Sequence, residues 1–278
     1  MIQKFNFALL GHKVSYSLSP AIYKAIFELV GIEGEVRLFD LEPEIFESSL
    51  DDLFDFADGI SVTIPYKTDI IKHLDKVDPL ANKIKAVNSI AIKNNLKSGY
   101  NTDVYGFGFP LLQLKDREKI ETALVLGNGG SAKAICYSLK NDLQCEKVII
   151  AARDQAKSAE IISDLSAEDI IHPIAYNKID QNIIESTDLI VNCTPLGGAN
   201  QPDIMPLDRT IQIKRKSVYY DLNYNKNNQM IKQCREAGLV TIDGSAMLIA
   251  QALKSFELWT GKIVDFDLLY HKVFSDEQ

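Results

Sequence analysis

The sequence predicts an α/β protein of two domains, one an open α/β domain and the other doubly wound. Three observations carry this. The 278 residues exceed what one hydrophobic core comfortably organises. Short apolar runs alternate with helical patterns from the first strand onward, the mark of βαβ units. A second such series starts at residue 123, with a glycine-rich turn directly behind its first strand.

The opening, MIQKFNFALLGHK, lacks the long apolar stretch of a signal peptide and reads as a strand over 5–10. A helix over 20–30 follows, with Ser19 as N-cap, Pro20 at the first helical position, Ile22 and Ile26 on one face and Gly31 as stop. VRLFD reads as a strand, 43–56 as a helix and ISVTI as the next strand, and a turn-rich hairpin is expected from Lys93 to Tyr100. The second series runs ALVLG, a helix from Ser131, KVIIAA, a helix from about Asp154, a strand near Ile171, then DLIVNC and SVYYDL. That order is the order of a doubly wound nucleotide-binding domain. The closing amphipathic segment, Gly244 to Trp259, carries Met247, Leu248, Ala250, Gln251 and Phe256, and composition assigns it to neither domain.

Apolar residues at 46% and charged residues at 24% are the balance of a soluble globular chain. A net charge of -8 without clustered Lys and Arg speaks against nucleic acid as the main partner. Nothing approaches the roughly 20 apolar residues of a membrane span. Cys136, Cys145, Cys193 and Cys234 form no CxxC pair and show no metal-type His spacing, so neither a metal site nor a disulfide framework is expected, and a reduced, cytoplasmic protein is.

The most legible site is Gly127-Asn128-Gly129-Gly130-Ser131-Ala132, between a strand and a helix. Glycines let backbone approach a pyrophosphate, and the helix N-terminus offers free N–H donors and a positive dipole end, so the turn reads as a dinucleotide site of the Rossmann type. Ser17 and Ser19, in SYSLSP, could bind a carboxylate at the start of the first helix; taken alone they read first as a loop residue and an N-cap. VTIPYK sets Thr63 at a strand end and Lys67 at the opening of the next helix. A lone Lys there is usually a solvated charge, but Asn88, Asn101, Thr102 and Asp103 supply polar company at strand ends, where ligands of open α/β sheets gather. Alcohol oxidation by hydride transfer needs a group to take the hydroxyl proton, and Lys67 beside Asp103 suits that task once its surroundings tune the amine.

In this order and spacing, SYSLSP, VTIPYK, KAVNSI, GYNTD, LGNGGSAKA, NCTPLG, YYDLNY and GSAMLIAQALKSFELWTG resemble the motifs of the shikimate dehydrogenase family over nearly the whole chain. The resemblance implies reversible, NADPH-dependent reduction of 3-dehydroshikimate to shikimate in aromatic amino-acid (chorismate) biosynthesis. It implies Lys67 and Asp103 as the catalytic pair and Ser17, Ser19, Thr63, Asn88, Tyr224 and Gln251 as substrate-binding residues. Gly127, Asn128, Gly129, Gly130, Ser131, Ala152, Arg153, Lys157, Thr194, Leu222, Gly244 and Met247 would hold NADP. The implied domains are 1–103 plus 243–278 for substrate and catalysis and 104–242 for the cofactor, with the active site in the cleft between them. Monomer and homodimer are the expected oligomeric states.

The residues also bear on the cofactor. KVIIAA ends in Ala151 and Ala152, followed by Arg153, with Lys157 one turn on, so two cations could flank a ribose 2′-phosphate. Asp154 would oppose that phosphate unless it turns away to cap the next helix. Relatives usually read Asn-Arg-Thr here, so Ala152, Asp154 and Lys157 depart from the pattern, as do Val104, Tyr105, Ser245, Ala246 and the Asn-Lys-Asn-Asn run after Tyr224. Two alternatives stand beside this reading: a quinate/shikimate dehydrogenase using NAD, and a nucleotide-binding relative without catalysis.

Overall fold

The computed structural model describes residues 4–114, 119–199, 201–208, 213, 216–225 and 227–274. The chain forms two compact units, Met1–Gly106 with Leu248–Gln278, and Phe107–Met247.

The first unit runs β1 (Lys4–Gly11), α1 (Ser19–Val30), β2 (Glu33–Asp40), α2 (Leu50–Phe56), β3 (Gly59–Val62), β4 (Lys76–Val77), α3 (Pro79–Ile84), β5 (Ser89–Lys93), β6 (Leu96–Tyr100) and the start of α4 (Asp103–Leu112). Its sheet has the order β2-β1-β3-β5-β6-β4. β1 runs parallel to β2 and β3, while β5 is antiparallel to β3 and β6. The hairpin expected at Lys93–Tyr100 closes through Asn94 and Asn95, both at positive φ (52° and 63°), the geometry of a type I′ turn, which Asn tolerates.

Three local expectations need correction. The second strand starts at Glu33, well before VRLFD, because it follows β1 in register from Lys4↔Glu33 to Gly11↔Asp40; pairing, not apolarity, sets its length. Residues 43–56 are not one helix but 3₁₀ turns at Pro43–Ile45 and Glu47–Ser49 ahead of α2. Ser48 and Ser49 hydroxyls donate back to the Ile45 carbonyl at 3.1 and 2.8 Å, competing with a continuous helical ladder. Ser19 is the first residue of α1 and not its N-cap; Leu18 holds that position without a side-chain bond.

The second unit contains β7 (Thr122–Leu126), α5 (Gly130–Asn141), β8 (Lys147–Ala152), α6 (Gln155–Asp164), β9 (Ile171–Ala175), α7 (Gln181–Glu185), β10 (Leu189–Asn192), β11 (Val218–Asp221), α8 (Gln229–Glu236) and β12 (Val240–Ile242). All pairings are parallel, in the order β12-β11-β10-β7-β8-β9, so the strand order reverses at β7. Successive residues of β7, β8, β10 and β11 enter opposite apolar layers. Ala123, Val125, Val148, Ile150, Leu189 and Val191 join one core, and Leu124, Leu126, Ile149, Ala151 and Ile190 the other. Burial on both faces explains why these strands read as continuous apolar runs.

α9 (Gly244–Thr260) begins in the second unit and ends in the first, followed by α10 (Phe266–Phe274). Its later residues Ile249, Ala252, Phe256 and Trp259 pack with Phe7, Tyr23 and Ile26. Trp259 lies 4.7 Å from the Phe7 ring and donates its indole N–H to Ser89 Oγ at 3.0 Å; such aromatic pairs add about 0.5–1.5 kcal/mol beyond area burial. This contact set is what composition left open for the closing segment. Among the described residues no helix is long and apolar enough to cross a membrane.

Candidate active site

Strand direction gathers the polar residues of the first unit. β1 and β3 are parallel, and β5 runs against β3 and β6. The carboxyl ends of β1, β3 and β6 and the amino end of β5 therefore share one edge of the sheet. Ser17 and Ser19 follow β1, Thr63 and Lys67 follow β3, Asn88 precedes β5, and Asp103 follows β6. Backbone bonds from Thr63 N–H to the Leu10 carbonyl (2.9 Å) and from His12 N–H to the Ile64 carbonyl (3.0 Å) bind the first two loops together.

Lys67 lies in a turn ahead of the 3₁₀ segment Asp69–His73, not at the opening of an α-helix as expected. Its Nζ donates to Asp103 Oδ2 at 2.6 Å, with Lys67 7% and Asp103 5% exposed. Asn88 Nδ2 donates to Asp103 Oδ1 at 2.8 Å and to Thr102 Oγ1 at 3.0 Å, while Asn88 Oδ1 accepts the Thr102 N–H at 2.6 Å. Asn101 Oδ1 accepts the N–H groups of Asp103 and Val104 at 3.1 and 3.4 Å, capping the first turn of α4, where an acidic residue is favoured by the helix dipole. Every oxygen of the Asp103 carboxylate thus has a donor, and the amine is anchored by that carboxylate. A buried amine so held can pass a proton to or from an atom placed against it.

Ser17 Oγ accepts the Ser19 N–H at 3.2 Å and bonds Ser19 Oγ at 3.2 Å. The two hydroxyls are therefore adjacent at the uncapped start of α1. Thr63 is half-buried just beyond β3. Gln251, on α9, donates through Nε2 to the Leu248 carbonyl at 2.9 Å. Tyr224 belongs to the second unit and is half-buried.

In the second unit, the glycine turn sits at the carboxyl end of β7, where the strand order reverses, the usual ligand position of such sheets. Gly127 has φ +94°, and a Cβ there would come within 2.9 Å of Thr194 Cγ2, so only glycine fits. Gly129 is the N-cap of α5, one residue earlier than expected, and no side chain caps that helix. The Ala132 N–H turns back to the Gly129 carbonyl at 3.0 Å, which leaves the Gly130 and Ser131 N–H groups of the first turn for a ligand, and open space faces Gly129. The cradle fits a dinucleotide pyrophosphate. Ala152 is buried at the end of β8, and Arg153 and Lys157 are exposed. Asp154 caps α6, its carboxylate accepting the Lys157 N–H at 3.2 Å, as the sequence suggested. At Gly244 a Cβ would lie 2.1 Å from the Leu222 carbonyl oxygen, which makes glycine obligatory there, and Met247 is buried three residues on.

Two groups escaped the sequence reading. Ser255, on α9, bonds Thr102 Oγ1 at 3.1 Å and so fastens the helix bearing Gln251 to the turn bearing Asp103; nothing local marks it. Asp221, fully buried, accepts five hydrogen bonds, from Asn192 Nδ2, Tyr219 Oη, Asn228 Nδ2 and both the N–H and Nδ2 of Asn223, at 2.8–2.9 Å. Asn223 and Asn192 also donate to the Leu196 carbonyl, so Asp221 shapes the loop bearing Thr194. Its signal was present: an acidic residue ending an apolar strand, followed by an Asn-rich loop.

Three family models match in sequence order: the shikimate dehydrogenase substrate binding domain over residues 9–90, shikimate / quinate 5-dehydrogenase over 112–244, and the shikimate 5′-dehydrogenase C-terminal domain over 244–274. The shikimate dehydrogenase (NADP(+)) of Caldanaerobacter subterraneus subsp. tengcongensis is 35% identical over 270 residues, 96% of this chain and 95% of that one. The shikimate 5-dehydrogenase of Thermus thermophilus, crystallised with NADP(H) and shikimate, superposes with a TM-score of 0.83 at 28% identity, covering 97% of this chain and 98% of its own. The quinate dehydrogenase of Corynebacterium glutamicum, crystallised with NAD, gives 0.86 at 26% identity, covering 99% and 100%. With its ordered motifs, its two units and these matches, the chain belongs to the shikimate dehydrogenase family.

Proposed function

We propose that this protein is an NADP-dependent shikimate dehydrogenase that interconverts 3-dehydroshikimate and shikimate in aromatic amino-acid biosynthesis. The observation that carries the reading is the buried Lys67–Asp103 pair, 2.6 Å apart at the edge where the loops of the first unit gather. A purely nucleotide-binding relative has no use for such a pair. In this reading the unit containing Lys67 and Asp103 binds substrate, and the doubly wound unit binds NADP through Gly127, Gly129, Gly130, Ser131, Ala152, Arg153, Lys157, Thr194, Leu222, Gly244 and Met247, with Asn128 bonding the glycine turn to the turn bearing Arg153.

A bound nicotinamide dinucleotide supplies or accepts the hydride. Lys67 Nζ donates a proton to the ketone oxygen during reduction and takes it back during oxidation, while Asp103 holds the amine in place and Asn88 holds Asp103. Ser17 and Ser19 bind the substrate carboxylate with their hydroxyls, aided by the positive end of α1. Thr63, Asn88, Tyr224 and Gln251 orient the ring hydroxyls.

The fold alone does not separate NADP from NAD, since the NAD-bound quinate enzyme shares it. What supports NADP is the exposed Arg153 together with the orientation of Asp154, whose carboxylate is engaged by the Lys157 N–H. A cytoplasmic location goes with this reading and is supported by four free thiols. The working form is a monomer or homodimer, which sedimentation distinguishes.

The test is a rate panel on purified protein, shikimate and quinate each with NADP and NAD, followed by reduced-nicotinamide absorbance. Shikimate with NADP should give the highest kcat/KM, and Arg153→Ala should abolish the NADP preference. Preference for quinate with NAD, or dinucleotide binding with no shikimate-dependent turnover, would reject the proposal.

A further inference from the structure

One side chain binds the glycine turn to the turn that bears Arg153. Asn128 Nδ2 donates to the Asp154 carbonyl at 2.6 Å and to Ser158 Oγ at 3.0 Å. Ser158 is fully buried, and its hydroxyl donates to the same carbonyl at 3.3 Å. On the other side of Arg153, Gln155 Nε2 donates to the Ala152 carbonyl at 2.7 Å and to the Ile174 carbonyl at 3.0 Å. The carbonyls flanking Arg153 are thus both held by side-chain amides, while its own side chain is exposed and, among the described residues, makes no ion pair. The backbone is fixed and the cation is left to solvent.

Both hydrogens of the Asn128 amide are committed to this turn, so its donor group is not directed at a phosphate. We propose that Asn128 is a positioning residue for cofactor selectivity, setting the Arg153 turn at a fixed distance from the N–H donors of the glycine turn. The inference rests on the NADP reading above. A nucleotide carrying a 2′-phosphate presents two anionic groups at a separation set by one adenosine. A cation fixed in advance at that separation binds without the ordering cost that a loose turn incurs. A nucleotide without the 2′-phosphate gains nothing from the clamp.

The experiment is calorimetric titration of the full-length protein with 2′,5′-ADP and with 5′-AMP, which differ only in the 2′-phosphate, for wild type, Arg153→Ala, Asn128→Ala and Ser158→Ala. Wild type should prefer 2′,5′-ADP, and Arg153→Ala should lose the preference. Asn128→Ala should weaken 2′,5′-ADP about three- to tenfold, the worth of one or two hydrogen bonds, and leave 5′-AMP within about twofold. Ser158→Ala, which keeps the Asn128 bond to the Asp154 carbonyl but loses the Ser158 one, should fall between wild type and Asn128→Ala, and it keeps the proposal testable if Asn128→Ala is poorly folded. Equal weakening of both nucleotides in Asn128→Ala, or none, overturns the positioning role while leaving the NADP reading intact. No preference in wild type, or one that survives Arg153→Ala, overturns the NADP reading and the positioning role together.

Discussion

Removing Lys67 should cost both stability and turnover, and the two losses can be separated. Its ammonium is 2.6 Å from Asp103 Oδ2 in a site where both residues are almost fully buried. Truncating one partner of a buried pair typically costs about 3–5 kcal/mol, because the other charge is left uncompensated. Asn88 Nδ2 still donates to Asp103 Oδ1 in Lys67→Ala, and the vacated space admits water, so the lower end applies. At roughly 2–4 °C per kcal/mol for a chain of this order of size, the thermal midpoint should fall by about 6–12 °C. Turnover should fall by about 10² to 10⁴, the usual worth of a positioned acid-base group. The decisive variant is the double Lys67→Ala/Asp103→Asn. It removes both charges and keeps an acceptor for Asn88, so most of the lost stability should return. Turnover should stay where Lys67→Ala left it, since residues acting as one unit are not additive in rate. Initial rates at saturating shikimate and NADP, with thermal melts of the same samples, check both halves. A turnover loss below about tenfold in Lys67→Ala, or recovery of turnover in the double variant, would refute the proton-transfer role and leave a structural ion pair.

Ser19→Ala should raise the Michaelis constant for shikimate about tenfold or more, at unchanged kcat and unchanged thermal midpoint, because Ser19 does not cap α1. Ser17→Ala should do the same with a small loss of stability, since its Oγ also accepts the Ser19 N–H; an unchanged Michaelis constant in both would remove the carboxylate site. Burial pushes the Cys136 and Cys234 thiols from 9.0, and the Tyr176 phenol from 10.0, up to about 12. Each group ionises less readily folded than unfolded, so its contribution is complete below the unfolded values near 9 to 10 and is lost as pH climbs toward 12. Urea midpoints should therefore decline through this alkaline window, less steeply in Cys136→Ala, and a slope that Cys136→Ala leaves unaltered would contradict the cause. Gly244→Ala should lower the thermal midpoint by the equivalent of about 2 kcal/mol or more, because its methyl would meet the Leu222 carbonyl oxygen at 2.1 Å; a wild-type melt would show that the backbone there yields freely.

Much of the fold was legible because its strands are short apolar runs and its turns carry chemical marks. Gly127–Gly130 announced a strand-to-helix turn, and Asn94-Asn95 closes the hairpin that composition placed there. The failures have local causes. Two serines bonding back to Ile45 broke a helix that periodicity made continuous, and pairing with β1 lengthened β2 through residues with no strand pattern of their own. β4 and β12, two and three residues long, carry too little pattern to be read at all. Within the candidate site, Lys67, Asn88 and Asp103 were legible as residue types at strand ends, but their contact was not. It depends on β5 running antiparallel to β3 and β6, which no single segment encodes. Ser255 was invisible for the same reason, since its partner Thr102 lies 153 residues away.

In the proposed mechanism two buried carboxylates, Asp221 ending β11 and Asp103 opening α4 behind β6, divide the work of scaffold and chemistry. Asp221 is surrounded by amide donors, a backbone N–H and the Tyr219 hydroxyl, whose ionisation burial and the neighbouring Asp221 push well above its usual range. None of these releases a proton near neutrality, so the cluster can only hold shape, and what it holds is the loop with Thr194 together with Asn223 and Asn228. Asp103 accepts an amide on one oxygen, which fixes its orientation, but on the other it accepts an amine. An amine, unlike an amide, can serve as a general acid or base. Under the proposed function the same carboxylate chemistry yields a rigid frame in the second unit and a proton-handling pair in the first, and the difference lies in a single partner, Lys67.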